Sequence, residues 1–230
     1  MPGYRTKQER ISIAGVDDLV IRSLLDRNQF ADGDGAAGRL GISSAAWPLF
    51  GLLWPSGALL AARLGARPVT AGERILEIGC GLALASIVGH RRGADVTASD
   101  RHPLTALFLA ENLRLNQLAP MKYLHGDWEA AGDDAAPAPA PGSFDLIVGS
   151  DLLYERDASG ALAGFVSRHA KASCEVWIVD PDRSNRPAFN RRMAADGFTR
   201  HEERLDVAAT AGADAYKGRL LVYRRKLAPH

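Results

Sequence analysis

The sequence has few cysteines, since only Cys80 and Cys174 occur among its 230 residues. Two cysteines are too few for a disulfide framework, and each lies in or beside an apolar run, so both are expected to be reduced thiols. The six histidines show no metal-ligand spacing with cysteine or carboxylate side chains, so no bound metal is expected. These features are typical of a cytoplasmic protein without a structural metal.

The chain also lacks an excess of charge, because 28 lysines and arginines face 27 aspartates and glutamates, for a formal net charge of +1. A balanced chain has no global attraction to nucleic acid or to an anionic membrane. No apolar stretch approaches the roughly 18 residues needed to span a bilayer. Met1 to Arg10 is polar where a signal peptide has an apolar segment. The sequence therefore predicts a soluble intracellular protein with no nucleic-acid or membrane partner.

The most informative stretch is an apolar run that ends in a glycine turn. Residues 74–78 form the apolar run, Gly79-Cys80-Gly81 follow, and a second apolar run continues to Val88. A run without a solvated face is typical of a central parallel strand covered by helices on both sides. Glycines let the backbone turn tightly and approach a ligand, and Asp100 ends the next strand about twenty residues later. This layout indicates a nucleotide-type cofactor site.

Strand-like and helix-like segments alternate along the rest of the chain. Helices are predicted at 103–116, 159–171 and 187–196, and strands at 121–125, 144–149, 175–179, 198–205 and 219–224. Alternation predicts a doubly wound, mostly parallel, seven-stranded Rossmann-like α/β sheet in a single domain. The last two strands have no full crossover helix between them, which favours an antiparallel edge strand.

The first 54 residues are predicted to form an N-terminal extension, with the main domain spanning 55–230. Two β-branched runs flank Gly15-Val-Asp-Asp18, which predicts a hairpin. Residues 31–41 contain four glycines and are expected to be a flexible loop. Pro55 fits the first turn of a helix that continues to Ala66. Trp54, just before it, either plugs the core where the extension meets the domain or lies against a cofactor.

A glycine-x-glycine turn alone does not identify the ligand, because dinucleotide enzymes and methyltransferases both use one. A nicotinamide-binding turn would have a third glycine where this chain has Leu84, and no Gly-Lys-Ser/Thr follows as in a Walker loop. Acidic residues follow the later strands as Asp127-Trp128 and as Asp151-Leu-Leu-Tyr154. An NAD-dependent oxidoreductase remains a more distant alternative.

The order Glu77-x-Gly79-x-Gly81, Asp100, Asp127-Trp128 and Asp151-Leu-Leu-Tyr154 resembles the class I S-adenosylmethionine-dependent methyltransferases. It is most similar to their seven-strand protein-lysine methyltransferase-like branch. The resemblance covers Trp54 to Tyr154 with specific motifs and continues by strand order only. It implies S-adenosylmethionine as the cofactor and methyl transfer to a nitrogen, with a protein lysine as the acceptor. A small-molecule amine acceptor and a non-catalytic S-adenosylmethionine-binding module are the alternatives.

The resemblance also implies roles for ten residues. The cofactor-binding residues would be Gly79, Cys80 and Gly81 around the methionine part, Glu77 holding the loop, Asp100 on the ribose hydroxyls, Asp127 and Trp128 bracketing the adenine, and Trp54 on the other side. Asp151 and Tyr154 would be catalytic, positioning the amine and holding its cationic form by cation–π attraction. Each position also has a structural interpretation: Asp100 as a helix cap, Asp127-Trp128 as a loop tip with a core tryptophan, and Asp151 with Tyr154 as a strand-end turn.

Two further positions bear on the site. The branch usually has a glycine where Ala83 stands, and an alanine fits there readily only if its φ is negative. Asp180-Pro-Asp-Arg183 follows the fifth predicted strand at the ligand-binding edge of the sheet, where it either shapes the acceptor pocket or forms a simple turn. The sequence leaves both questions to the structure.

Overall fold

The computed structural model describes residues 3–128, 144–154, 159–209 and 215–226, which form a two-stranded sheet and a seven-stranded sheet flanked by helices. The strands are β1 Thr6–Ile11, β2 Leu19–Leu24, β3 Arg74–Ile78, β4 Asp95–Asp100, β5 Lys122–His125, β6 Phe144–Ser150, β7 Ala170–Asp180, β8 Thr199–Val207 and β9 Tyr216–Arg225. The helices are α1 Ala36–Arg39, α2 Pro55–Ala66, α3 Leu84–Arg91, α4 Thr105–Leu115, α5 Ala161–His169 and α6 Arg186–Ala195, with a 3₁₀ turn at Trp47–Gly51.

The large sheet has the order β5-β4-β3-β6-β7-β9-β8. Neighbouring strands from β5 to β7 run parallel, whereas β9 is antiparallel to both β7 and β8. The predicted seven-stranded, mostly parallel sheet is confirmed. The antiparallel strand lies one place inside the edge, because α6 carries the chain past one strand position and β9 then returns between β7 and β8.

The N-terminal segments differ in detail from the sequence-based expectation. The predicted hairpin is present, but its first strand spans Thr6–Ile11 and not the β-branched run at 11–13 on which the prediction was based. The residues before Ile11 are polar and carry no apolar pattern, so only their pairing with β2 defines the strand. The stretch 31–41, expected to be a loop, contains the one-turn helix α1. Asp32 accepts hydrogen bonds from the backbone N–H groups of Ala37 and Gly38 at 2.9 and 2.8 Å. A carboxylate at a helix start satisfies donors that the helix itself leaves unpaired.

The hydrophobic core has two parts, one on each face of the large sheet. One part combines the hairpin, the 3₁₀ turn and α2, α3 and α4 with the sheet, and it contains Leu19, Ile21 and Trp47 from the first 54 residues. The other packs α5 and α6 against the opposite face, around residues such as Phe165 and Met193. Apolar side chains of the N-terminal segment thus belong to the same buried cluster as those of the sheet.

Two asparagines of α4 hold the hairpin in place. Asn112 accepts a hydrogen bond from the Arg22 N–H at 2.8 Å, and Asn116 accepts one from the Val20 N–H at 2.9 Å. The Asn116 amide also donates to the Val20 carbonyl at 2.8 Å. Residues four apart lie on one face of a helix, so the two amides contact the edge of β2 as a neighbouring strand would.

Across the parts of the chain that the structure describes, there is no helix both long and apolar enough to cross a membrane.

Candidate functional site

The glycine turn connects β3 to α3 through three residues with positive φ. Gly79, Gly81 and Ala83 have φ values of 56°, 51° and 57°. A Cβ on Gly79 would lie 2.5 Å from the Leu152 side chain, and one on Gly81 would lie 2.9 Å from the Phe50 carbonyl oxygen. Backbone conformation therefore favours glycine at both positions, and at Gly81 the nearby backbone oxygen leaves no space for a side chain.

Ala83 does not have the negative φ that an alanine prefers. Its φ of 57° and ψ of 38° are those of a left-handed residue, and it precedes the first residue of α3. The left-handed conformation costs a residue with a Cβ roughly 1–2 kcal/mol. Ala83 offers no side-chain cap to the helix that follows.

Glu77 supplies the missing cap from the end of β3. Its Oε2 accepts hydrogen bonds from the Ser86 N–H at 2.7 Å and the Ser86 hydroxyl at 2.5 Å. A carboxylate near a helix N-terminus satisfies backbone donors and interacts favourably with the helix dipole. Burial, opposed by the Ser86 hydrogen bonds and reinforced by the nearby Asp100 charge, raises the pKa of Glu77 to about 7.

Asp100 joins the glycine turn to the loop after β4. Its Oδ2 accepts a hydrogen bond from the Gly81 N–H at 2.9 Å, and its Oδ1 accepts one from the His102 N–H at 2.8 Å. Each carboxylate oxygen can accept a second hydrogen bond, which leaves room for ligand hydroxyl groups. Burial raises the pKa of Asp100. Asp100 does not cap α4, which begins only at Thr105.

One cavity of about 710 Å³ contains every residue that the sequence placed in the site. The residues are Trp54, Glu77, Gly79, Cys80, Gly81, Asp100, Asp127, Trp128, Asp151 and Tyr154. The volume lies within the roughly 300–1,000 Å³ usual for small-molecule sites. The cavity opens at the carboxyl ends of the parallel strands, where α/β sheets bind ligands.

The tryptophans divide between core and cavity. Trp54 is 37% exposed, and its indole Nε1–H donates to the Leu49 carbonyl at 3.0 Å. Trp47, which is 1% exposed, plugs the core instead. Trp128 is half-buried beside Gly79 at the opposite wall. Trp54 and Trp128 are thus both available to contact a planar ligand.

Cys80 lies in the turn but is not placed for nucleophilic chemistry. Its side chain is buried, and burial together with the charges of Asp100 and Glu77 raises the pKa of the thiol well above its usual range. A protonated thiol is a weak nucleophile. Cys80 therefore acts as a small residue of the turn.

The end of the cavity at Asp151 contains an ion pair that the sequence did not reveal. Asp151 has a φ of 55°, and its N–H donates to the Val179 carbonyl at 3.0 Å. Its Oδ1 accepts a hydrogen bond from Arg183 Nη2 at 3.3 Å. Asp180 is fully buried and accepts a hydrogen bond from the Arg183 N–H at 2.9 Å. The 180–183 segment thus forms a turn closed by the Asp180 carboxylate, and of its residues Arg183 lines the cavity.

His102 is a second cavity residue that the sequence analysis did not identify. Its ring stacks on Phe50 with centroids 3.7 Å apart and an angle of 11° between the planes. Burial lowers the pKa of His102 to about 4. The ring is therefore neutral near pH 7 and forms part of the wall. A histidine two residues after a strand-end aspartate carries no recognisable signal in a single sequence.

A second cleft of about 380 Å³ lies between the hairpin and the main cavity. Its hairpin side includes Lys7, Glu9 and Ser23. Its other side is a wall that also lines the main cavity, formed by Leu49, Leu52, Leu53 and Trp54. Among the residues described, no group of histidine, cysteine and acidic side chains is arranged to hold a metal ion.

Comparison with known proteins agrees with this geometry. Residues 50–192 match the family model described as lysine methyltransferase. The electron transfer flavoprotein beta subunit lysine methyltransferase of Danio rerio is 29% identical over 150 residues, covering 64% of this chain and 55% of that protein. Protein N-lysine methyltransferase METTL21A of the same organism is 32% identical over 94 residues, covering 40% of this chain and 41% of the relative.

Similarity to solved structures supports the assignment of the fold. The structure of P. horikoshii TYW2 in complex with MeSAdo matches with a TM-score of 0.56 and 16% identity, covering 95% of this chain and 72% of that one. The chain spans about half the length of the curated relatives it matches. Because the family model covers more than half of the chain and the fold agrees with it, the chain belongs to the lysine methyltransferase family.

Proposed function

We propose that this protein binds S-adenosylmethionine in the main cavity and transfers its methyl group to a lysine side chain of another protein. The observation that carries the proposal is the position of Asp100 and Asp151 in one cavity, one beside the glycine turn and the other at the far strand end. The first suits a ribose, and the second suits an incoming amine. Family membership and the nucleoside in the TYW2 structure support the same cofactor.

The residues of the cavity fit this ligand. The closely packed glycines leave backbone surface for the methionine part, and Asp100 has spare acceptor capacity for the two ribose hydroxyls. Asp127 and Trp128 lie next along the sheet edge, where a carboxylate and an indole can hold adenine by its amino group and its face. When bound, S-adenosylmethionine supplies an electrophilic methyl group on a sulfonium.

At the other end, Asp151 and Tyr154 orient the acceptor. A lysine must first lose a proton, because an ammonium group has no lone pair. The Asp151 carboxylate can accept a hydrogen bond from the amine, and the face of the Tyr154 ring can attract its cationic form by about 0.5–2 kcal/mol. Most of the acceleration would come from orientation, with effective molarities on the order of 10⁵ M or more.

A protein acceptor is favoured over a small amine by exposure at the mouth. Tyr154 is 43% exposed and Trp54 is 37% exposed, although both line the cavity. A cavity mouth whose lining is exposed to solvent can be reached by a lysine side chain that is still attached to a protein surface. A small-molecule amine acceptor and a non-catalytic binding module remain the alternatives for the experiment. We also propose a cytoplasmic location, because both cysteines are free and buried.

Calorimetry with S-adenosylhomocysteine tests the cofactor assignment. We expect the wild-type protein to bind and Asp100→Asn to bind at least tenfold more weakly, because an amide has only one accepting oxygen, so its NH₂ group would face the Gly81 N–H or the His102 N–H and could not accept from a ribose hydroxyl. Asp95→Asn is the matched control, since Asp95 begins the same strand and pairs only with Lys122 at the surface. The absence of heat with the wild-type protein would refute the cofactor assignment.

Incubation with labelled S-adenosylmethionine and lysate from the source organism tests the acceptor. Label on a protein lysine, located by mass spectrometry and lost in Asp151→Asn, is the expected result. Label confined to the low-mass fraction would identify a small amine instead. Binding without any transfer would favour the non-catalytic module.

A further inference from the structure

The carboxylate proposed to receive the acceptor is held by a cation of the protein itself. Asp151 Oδ1 lies 3.3 Å from Arg183 Nη2, and the two side chains are 14% and 41% exposed. The Arg183 backbone is fixed by its hydrogen bond to the buried Asp180. The pair therefore lines the cavity in a defined position while the guanidinium remains accessible from it.

The neighbouring charges do not replace Arg183. Asp182 binds both Arg186 and Arg219, and Arg186 also lies 3.9 Å from Asp180. Polar groups nearby include the Tyr216 hydroxyl, which shares a hydrogen bond with Ser56, and Glu202, which pairs with Arg219. Arg186 and Arg219 are thus engaged by Asp180, Asp182 and Glu202, and Arg101, Arg191 and Arg192 also line the cavity. Among the residues that the structure describes, Arg183 forms the ion pair with Asp151.

We infer that Arg183 is a positioning residue that keeps the acceptor nitrogen uncharged beside Asp151. This inference rests on the proposed function. A free lysine has a pKa near 10.4 and is almost fully protonated at pH 7. A lone carboxylate would stabilise the ammonium further, whereas a guanidinium on the same carboxylate opposes a second cation. Asp151 then serves as a hydrogen-bond acceptor for a neutral amine.

The charge arrangement matters because of the order of events in the transfer. The ammonium releases a proton to solvent, and its lone pair forms the new nitrogen–carbon bond. The carbon–sulfur bond breaks, and its electron pair stays on sulfur, which becomes the neutral thioether of S-adenosylhomocysteine. The product nitrogen is a secondary ammonium, which becomes a neutral methylamine when it releases one proton to solvent. Arg183 favours the first of these events.

The experiment compares the pH dependence of single-turnover label transfer to lysate protein, from pH 6 to 10, for the wild-type protein and Arg183→Gln. We expect the midpoint of the rising limb to move up by about one pH unit in the variant, the size of shift that a nearby charge gives. Transfer should fall about tenfold at pH 7 and recover near the top of the range. Calorimetry with S-adenosylhomocysteine confirms that the variant is folded and binds the nucleoside.

Two further variants separate charge from shape. Arg183→Lys keeps the cation and should keep the wild-type midpoint, whereas Arg204→Gln removes an exposed arginine of β8 and should leave the profile unchanged. Equal midpoints for the wild-type protein and Arg183→Gln would overturn the inference alone. A lysine variant shifted as far as the glutamine variant would also overturn it. No transfer by the wild-type protein at any pH would overturn the proposed function and the inference with it.

Discussion

Single residues with left-handed backbones concentrate around the cavity. Among the described residues, four that are not glycine have positive φ, and Ala83, Asp151 and Asp182 of these lie in or beside the site. Each such residue costs roughly 1–3 kcal/mol and persists only where its surroundings determine it. Here the Glu77 cap, the Val179 carbonyl and the arginine pairs of Asp182 provide those surroundings. Strain is therefore placed where the ligand and the acceptor would meet.

Ala83→Gly should stabilise the fold. Glycine relieves a left-handed strain of roughly 1–2 kcal/mol and loses part of that gain to its greater freedom in the unfolded chain, so we expect a net increase of about 0.5–1 kcal/mol. Chemical denaturation measures it. Ala85→Gly, two residues later inside α3, is the matched control and should destabilise by about 1–2 kcal/mol. A loss of stability in Ala83→Gly would contradict the strain at this position.

Glu77 should make stability depend on pH near neutrality. Its folded-state pKa of about 7 exceeds the ordinary value of 4.5. The folded protein therefore holds this proton more tightly than the unfolded chain, and stability falls as pH rises between those two values. The Glu77→Gln variant cannot ionise at this position. The difference between its free energy of unfolding and that of the wild-type protein should therefore shift in favour of the variant from about pH 4.5 to pH 7 and stay constant above pH 7. Parallel curves for the two proteins would contradict the prediction.

The ten residues predicted for the site line one cavity, but their mutual contacts could not be predicted. The strand-end positions of Asp100, Asp127 and Asp151 follow from pattern, since parallel strands bring their carboxyl ends to one edge. The pairing of Arg183 with Asp151 depends on how the loop after β7 folds, and no periodicity encodes that. The conformation of Ala83 was likewise set by the turn and not by the residue itself.

At the scale of elements, the apolar runs of the sequence predicted the centres of the strands. The polar residues at the ends of those strands were not predicted to belong to them. β7 begins at Ala170, five residues before the predicted strand, because Lys171, Ala172 and Ser173 are not buried and carry no pattern. The first strand of the hairpin likewise extends from Ile11 back to Thr6, over exposed and half-buried residues that carry no apolar pattern. Sequence patterns report burial, so exposed continuations of a strand are defined by pairing with a neighbour, which only the structure shows.

The attachment of the hairpin to α4 predicts a specific loss. Asn112→Ala should destabilise the protein by about 1–3 kcal/mol, because it leaves the Arg22 N–H without its partner. Hydrogen exchange should speed up in β1 and β2 more than in β3 and β4. Arg114→Ala is the control on the same helix, since it removes an exposed side chain that pairs with Glu111, an interaction worth less than about 1 kcal/mol. Uniform exchange in both sheets would contradict this attachment.

At the scale of the whole molecule, the cavity draws its walls from both faces of the sheet. Glycine-turn residues and Phe50 come from one hydrophobic cluster, and Leu152, Leu153 and Leu162 come from the other. A ligand in this position contacts both halves of the core at once. Its binding energy is therefore expected to add to the cooperative stability of the entire fold.

S-adenosylhomocysteine at about 100 times its Kd should raise the free energy of unfolding by about 2.7 kcal/mol. For a chain of this size the midpoint of thermal unfolding should rise by roughly 5–10 °C, measured by calorimetry or fluorescence. Asp100→Asn, with at least tenfold weaker binding, should gain at most about 1.4 kcal/mol and show at most about half of the shift at the same concentration, and Asp95→Asn should respond as the wild-type protein does. An equal shift in both variants would indicate binding outside the cavity.

The wall formed by Leu49, Leu52, Leu53 and Trp54 separates the main cavity from the cleft under the hairpin, and the same side chains face both compartments. It is therefore a shared partition only one layer of side chains thick. A substitution in this wall therefore changes both compartments at once, because the side chain that is replaced lines both. Substitutions at Leu49, Leu52 or Leu53 can therefore reshape the main cavity from the side of the hairpin cleft.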